Sequence, residues 1–163
     1  MSVYLIGFMG SGKSTIGKEV AKKLGLPFLD IDEIVEQQSR KTIEQVFEKW
    51  GEYRFRLMET EVLNNWKDEG VYATGGGLIL SAANREFLKD PERTVIWLNP
   101  TWDVMYKRIQ KSTRPLIAER TEAELKKLWE ARIPLYQECA THTIKEGKPE
   151  AIVDEIVKIC KKK

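Results

Sequence analysis

Eight consecutive residues near the N-terminus, Gly7-Phe8-Met9-Gly10-Ser11-Gly12-Lys13-Ser14, fit the pattern G-x-x-x-x-G-K-[ST]. Residue types in that order make a phosphate-binding loop, or P-loop. The glycines let the backbone curl until successive N–H groups point inward at phosphate oxygens, and the helix that follows adds the positive end of its dipole. In such a loop Lys13 reaches the β- and γ-phosphates of a nucleoside triphosphate, and Ser14 offers its hydroxyl to Mg²⁺. Gly10, Ser11, Gly12, Lys13, Ser14 and Thr15 are therefore the expected nucleotide-binding residues.

Three further groups carry potential chemistry. In Asp30-Ile31-Asp32, two carboxylates stand two residues apart at the end of a candidate strand. Strand alternation would turn both to one face, beyond the strand C-termini where ligands of open parallel sheets gather. One of them is then placed to act on Mg²⁺ through a water molecule, as Asp30 would. The other is placed to orient or deprotonate an acceptor hydroxyl. A helix N-cap followed by a first-turn acid accounts for one of the two equally well. Arg56, Arg114 and Arg132 are the second group. A planar guanidinium holds a carboxylate or phosphate through paired hydrogen bonds, so arginines that converge would suit an anionic substrate, whereas scattered ones would be solvated surface. The third is Thr74-Gly75-Gly76-Gly77, where three glycines either let a ligand approach the backbone or simply form a flexible turn. The single histidine, His142, reads as structural, and the five tryptophans as core or helix-face residues.

The elements that must position these residues alternate along the chain. Short apolar runs rich in branched and aromatic residues predict strands over 3–6, 28–31, 71–74, 94–98 and 141–144. Amphipathic periodicity predicts helices over 14–24, 102–109 and 122–135. This alternation predicts an α/β fold with a parallel sheet covered by helices. Two segments interrupt it. Residues 32–67 hold only helical stretches, 43–49 and 53–66, and read as a helical insertion. Residues 111–121 are polar and charged, with Arg114-Pro115 inside, and read as an exposed loop of the kind that closes over active sites.

Composition limits the remaining choices. The 163 residues suit one domain, with 42% hydrophobic residues to fill a core. The 27 Lys+Arg against 25 Asp+Glu leave a net charge of only +2, which argues against a nucleic-acid-wrapping protein and requires any important basic residue to act locally. Two cysteines without C-x-x-C spacing, Cys139 and Cys160, read as reduced thiols of an intracellular protein. No apolar run approaches the roughly 20 residues of a membrane span, and none resembles a signal peptide. The expectation is a cytoplasmic monomer. A regulatory nucleotide switch of the GTPase kind is disfavoured because D-x-x-G and N-K-x-D are both absent.

As a set, these residues resemble the shikimate kinase family, in consistent order from about residue 3 to about 157. The resemblance is carried by 7–15 (GFMGSGKST), 28–33 (FLDIDE), 47–61 (FEKWGEYRFRLMETE), 73–77 (ATGGG), Arg114-Pro115-Leu116 and 132–136 (RIPLY). It implies a three-layer α/β/α P-loop kinase fold with a five-stranded parallel sheet, a substrate-binding insertion at 32–67 and a lid at 111–121. It also implies MgATP-dependent phosphorylation of the shikimate 3-hydroxyl. Position by position, it makes Asp32 the acid that polarises the acceptor hydroxyl, and Arg56 with Arg132 the pair that holds the carboxylate. Gly76 becomes a backbone contact to substrate, Arg114 the lid residue on the ATP phosphates, and Glu59 a brace for the arginine site. With Lys13, Asp32 and Arg114 form the implied catalytic set. Lys41 and Ile117 depart from the usual glycine and leucine, away from these roles. A kinase for gluconate or a nucleoside monophosphate is the alternative, since a phosphate would satisfy the same arginines.

Overall fold

The computed structural model describes residues 1–112, 115–145 and 147–162, with the backbone alone for Pro115 and Leu116. Five parallel strands, β1 (Ser2–Ile6), β2 (Phe28–Asp30), β3 (Gly70–Ala73), β4 (Thr94–Leu98) and β5 (His142–Ile144), form one sheet in the order β2-β3-β1-β4-β5. β3 and β4 are buried throughout and β1 in all but its first residue, which is why they read as continuous apolar runs.

Alternate side chains serve opposite faces. Val3 and Leu5 of β1, with Ile96 and Leu98 of β4, pack under α1 (Lys13–Leu24) and α8 (Pro149–Lys161). Tyr4, Ile6, Val95 and Trp97 face the larger core on the other side. That core is closed by α2 (Ile31–Ser39), α3 (Ile43–Asn65), α4 (Ala82–Leu88), α5 (Trp102–Ile109) and α7 (Glu122–Cys139). The layers are helix, sheet, helix. The loop after β1, the end of β2 and the glycines after β3 all lie at the C-terminal edge of the sheet, where the strand order reverses direction.

The insertion has a specific internal geometry. α3 begins with a capping box, Gln45 N–H to Thr42 Oγ1 at 3.1 Å and Thr42 N–H to Gln45 Oε1 at 2.9 Å. Gly51 breaks it in the middle with φ 85°, so its two halves correspond to the two helical stretches expected at 43–49 and 53–66.

Two expectations are corrected. The strand expected over 28–31 stops at Asp30, and Ile31 already opens α2. Asp32 therefore lies in a first helical turn, and strand alternation is not what orients it. The 111–121 segment is not wholly an exposed loop, because it contains a short helix, α6 (Pro115–Ala118), and buries Ile117. An apolar anchor keeps that part against the core. Arg114 lies outside the described residues.

Candidate active site

The P-loop joins β1 to α1 through backbone conformations that need glycine. Gly10 and Gly12 have φ of 79° and 97°, and a Cβ on Gly10 would lie 2.7 Å from Ile109 Cγ2 and 2.8 Å from the Met105 carbonyl. Gly12 is the N-cap of α1, whose first turn holds no acid and whose last turn holds Lys22 and Lys23. The positive helix end is thus left uncompensated by side chains of its own first turn, which suits an anionic ligand. Lys13 Nζ donates to the carbonyls of Gly7 at 2.5 Å and Phe8 at 3.1 Å, inside the curl of the loop.

Asp30 caps a helix and also contacts the P-loop. Its Oδ1 accepts the N–H groups of Asp32 at 2.9 Å and Glu33 at 3.2 Å, capping α2. Its Oδ2 accepts the Ser14 hydroxyl at 3.0 Å. A hydroxyl and a carboxylate side by side at a P-loop are hard oxygen donors of the type Mg²⁺ takes when phosphates and water complete its shell. Among the described residues no group of three or more His, Cys, Asp or Glu gathers to hold a metal by protein ligands alone.

Arg56 and Arg132 do converge. Arg56, three residues before Glu59 on the second half of α3, donates from Nη1 to Glu59 Oε1 at 2.7 Å and reaches Glu52 at 3.3 Å. Arg132, buried on α7, donates from Nη1 to the Gly76 carbonyl at 3.2 Å, and its guanidinium lies 5.5 Å from the Phe8 ring centre. Glu59 is fully buried. Burial pushes its carboxyl up to about 7 against the pull of Arg56, while Asp32 adds to the rise and Arg132 opposes it. Burial likewise draws the Arg132 guanidinium down, whereas at Arg56 the neighbouring Glu59 and Glu52 more than offset that effect.

Two of the three glycines after β3, Gly75 and Gly77, have a steric reason beyond ligand access. A Cβ on Gly77 would overlap the Arg56 guanidinium, and one on Gly75 would collide with Glu59 Oε2 and come within 2.8 Å of Asp32 Oδ1. The charged groups lie where side chains would otherwise be. The turn itself is held by Leu78 N–H to the Gly75 carbonyl at 3.2 Å, and buried Asn84 donates to the Leu78 carbonyl at 2.9 Å.

Two connected spaces result. A cleft of about 810 Å³ is lined by the P-loop together with Asp30, Arg108, Lys145 and Pro149. A smaller cavity of about 30 Å³ is lined by Arg56, Glu59, Arg132 and the three glycines. Asp32 lines both, as do Met9, Gly75 and Gly76. Every candidate nucleotide residue from Gly10 to Thr15 lies along the cleft, and Asp32, Arg56, Glu59, Gly76 and Arg132 meet at the cavity. His142 sits exposed on the edge strand β5, apart from both. Arg108 and the Tyr136 hydroxyl were not singled out by sequence. Arg108 donates to the Gly10 carbonyl at 2.9 Å and Tyr136 to the Gly76 carbonyl at 2.7 Å. Only the Tyr136 position belonged to a visible motif, RIPLY.

The family model "Shikimate kinase" matches residues 9–161. The chain belongs to the shikimate kinase family. It is 42% identical to the shikimate kinase of Enterococcus faecalis over 162 residues, covering 96% of each chain. It is 39% identical to that of Thermodesulfovibrio yellowstonii, covering 96% of this chain and 93% of that one. Among solved structures, shikimate kinase from Acinetobacter baumannii in complex with shikimate superposes with a TM-score of 0.91 at 39% identity, over 98% of this chain and 92% of that one. A deoxyadenosine kinase from M. mycoides shares the fold at TM-score 0.65 and 18% identity. As a member of the shikimate kinase family, the protein is an ATP-dependent kinase with the five-stranded P-loop kinase architecture. No helix among the described residues is long and apolar enough to cross a membrane.

Proposed function

We propose that the protein transfers the γ-phosphoryl group of ATP to the 3-hydroxyl of shikimate, giving shikimate 3-phosphate and ADP in aromatic amino-acid biosynthesis. The position of Asp32 carries this reading: its carboxylate lines both the cleft along the P-loop and the cavity between the arginines. A hydroxyl held there stands between a phosphate donor and an anion-binding pocket.

In this mechanism Gly10, Ser11, Gly12, Lys13, Ser14 and Thr15 cradle the ATP phosphates with backbone N–H groups, a hydroxyl and an ammonium. Arg56 and Arg132 hold the shikimate carboxylate in a cavity sized for a small anionic group. The ring remains at its mouth, with Gly76 against it. Glu59 braces Arg56. Asp32 orients the acceptor hydroxyl and receives its proton as the phosphoryl group moves across. Lys13, with Arg114 from the lid, balances charge on the transferring group. Ser14 and, through water, Asp30 would hold Mg²⁺, which would supply charge neutralisation for the phosphates.

The chain works as one kinase domain, a cytoplasmic monomer in which 32–67 binds the acceptor and 111–121 closes over the nucleotide to exclude water. A coupled ADP-release assay with shikimate, gluconate and AMP tests the acceptor. Turnover with shikimate alone is expected, and turnover only with another acceptor refutes the assignment.

A further inference from the structure

Tyr136 has no part in the mechanism above, although its hydroxyl makes one of the shorter hydrogen bonds at the site. It lies four residues after Arg132 on α7, which puts both on one helix face across Pro134. The phenol is fully buried, its ring stacks on Trp97 of β4 with centroids 5.6 Å apart, and its hydroxyl donates to the Gly76 carbonyl at 2.7 Å. Arg132 Nη1 donates to the same oxygen at 3.2 Å. A carbonyl has two lone pairs, and here both are used.

The Gly76 carbonyl and the Gly77 N–H belong to one planar peptide, so holding the oxygen fixes the whole unit. On the Gly77 side the space of a Cβ is filled by the Arg56 guanidinium. One peptide therefore touches both arginines and acts as the spacer between them. We propose that Tyr136 is a positioning residue: by fixing the Gly76–Gly77 peptide, its hydroxyl sets the distance between the Arg132 and Arg56 guanidinium groups and so their fit to a carboxylate. Burial pushes the phenol above the ordinary tyrosine range, so it stays a neutral donor throughout the working pH range. Without the hydroxyl, the second lone pair of Gly76 is left buried and unmet, and Arg132 is drawn onto it and away from the ligand.

The proposal rests on the two arginines receiving the shikimate carboxylate, and steady-state kinetics of Tyr136→Phe test it separately. Loss of one buried hydrogen bond should raise KM for shikimate roughly 5- to 10-fold. KM for ATP and kcat should stay within about twofold, the signature of lost acceptor binding alone. Trp97→Phe loosens packing against the same ring but keeps the hydroxyl, and should lower the melting temperature with KM for shikimate unchanged. An unchanged KM in Tyr136→Phe, a parallel change in both KM values, or a variant that does not fold overturns the proposal by confining the hydroxyl to stability. No turnover of shikimate by the wild-type protein would instead remove the acceptor assignment, and this proposal with it.

Discussion

Ser14 Oγ lies 3.0 Å from Asp30 Oδ2, tying the first turn of the P-loop helix to the carboxylate that caps α2. The two oxygens of Asp30 therefore do separable work, and two substitutions should part them. Asp30→Asn keeps an acceptor for the N–H groups of Asp32 and Glu33 but removes the charge beside Ser14. Its melting temperature should stay close to wild type, while the Mg²⁺ concentration for half-maximal turnover rises. Asp30→Ala should show the same Mg²⁺ defect and also lose about 1 kcal/mol of stability with the cap. Mg²⁺ titration of activity and urea unfolding read the two effects. Equal Mg²⁺ requirements in wild type and Asp30→Asn would confine Asp30 to capping.

Glu59 should make stability depend on pH in an unusual direction. Its carboxyl is raised from 4.5 to about 7 in the folded protein, chiefly by burial. Between those values the native state holds more protons than the unfolded chain, so this group's contribution is full below pH 4.5 and is lost as pH rises through 7. The loss is on the order of 3 kcal/mol if the whole shift is realised. Glu59→Gln cannot titrate, so the unfolding free energy of wild type relative to Glu59→Gln should fall between pH 5 and pH 8. Denaturant unfolding of both proteins at the two pH values provides the check, and a flat difference would mean that Arg56 holds Glu59 ionised throughout.

How far these features could be read beforehand depends on how local their causes are. The P-loop, the five strands and the break near Gly51 follow from short-range patterns, and each is found close to its expected place. Of the two grounds for expecting Asp32 at the site, strand alternation fails, since a helix that begins directly after a three-residue strand leaves no apolar period to mark the change, while the family resemblance does not depend on it. Helix α8 has a clear apolar face but carries none of the motifs that drew attention elsewhere. The convergence of Arg56 with Arg132 was implied by the family resemblance but not by residue spacing, because it depends on how α3 and α7 pack around the glycines. The same packing gives the triple glycine its steric meaning.

That steric meaning is testable at Gly77. Its φ of −100° suits any residue, so alanine introduces no backbone strain. The added methyl would occupy the space of the Arg56 guanidinium. Gly77→Ala should therefore displace Arg56 and raise KM for shikimate at least 10-fold, about the value of one charged hydrogen bond. The P-loop is untouched, and ATP affinity measured by calorimetry should be retained. If ATP and shikimate binding weaken together, the methyl has disturbed the loop as a whole and the selective role of the glycine is lost.

Asp32 gives the most direct test of the chemistry, because it belongs to both the cleft and the arginine cavity. Asp32→Asn keeps the side-chain volume and the backbone N–H that Asp30 caps, so α2 should form and the melting temperature should change by only a few degrees. In the proposed mechanism it removes the group that orients the acceptor hydroxyl and takes its proton. Turnover should fall by roughly 10²- to 10⁴-fold, the usual worth of a positioned general base. KM for ATP should hardly move. The same substitution removes a negative charge that helps hold Glu59 up, so the Glu59 carboxyl should titrate lower in the variant. Carboxyl NMR titration of Glu59 thus reports whether Asp32→Asn preserves the site while abolishing its activity. Retained turnover alongside the shifted Glu59 titration would show that phosphoryl transfer proceeds without Asp32.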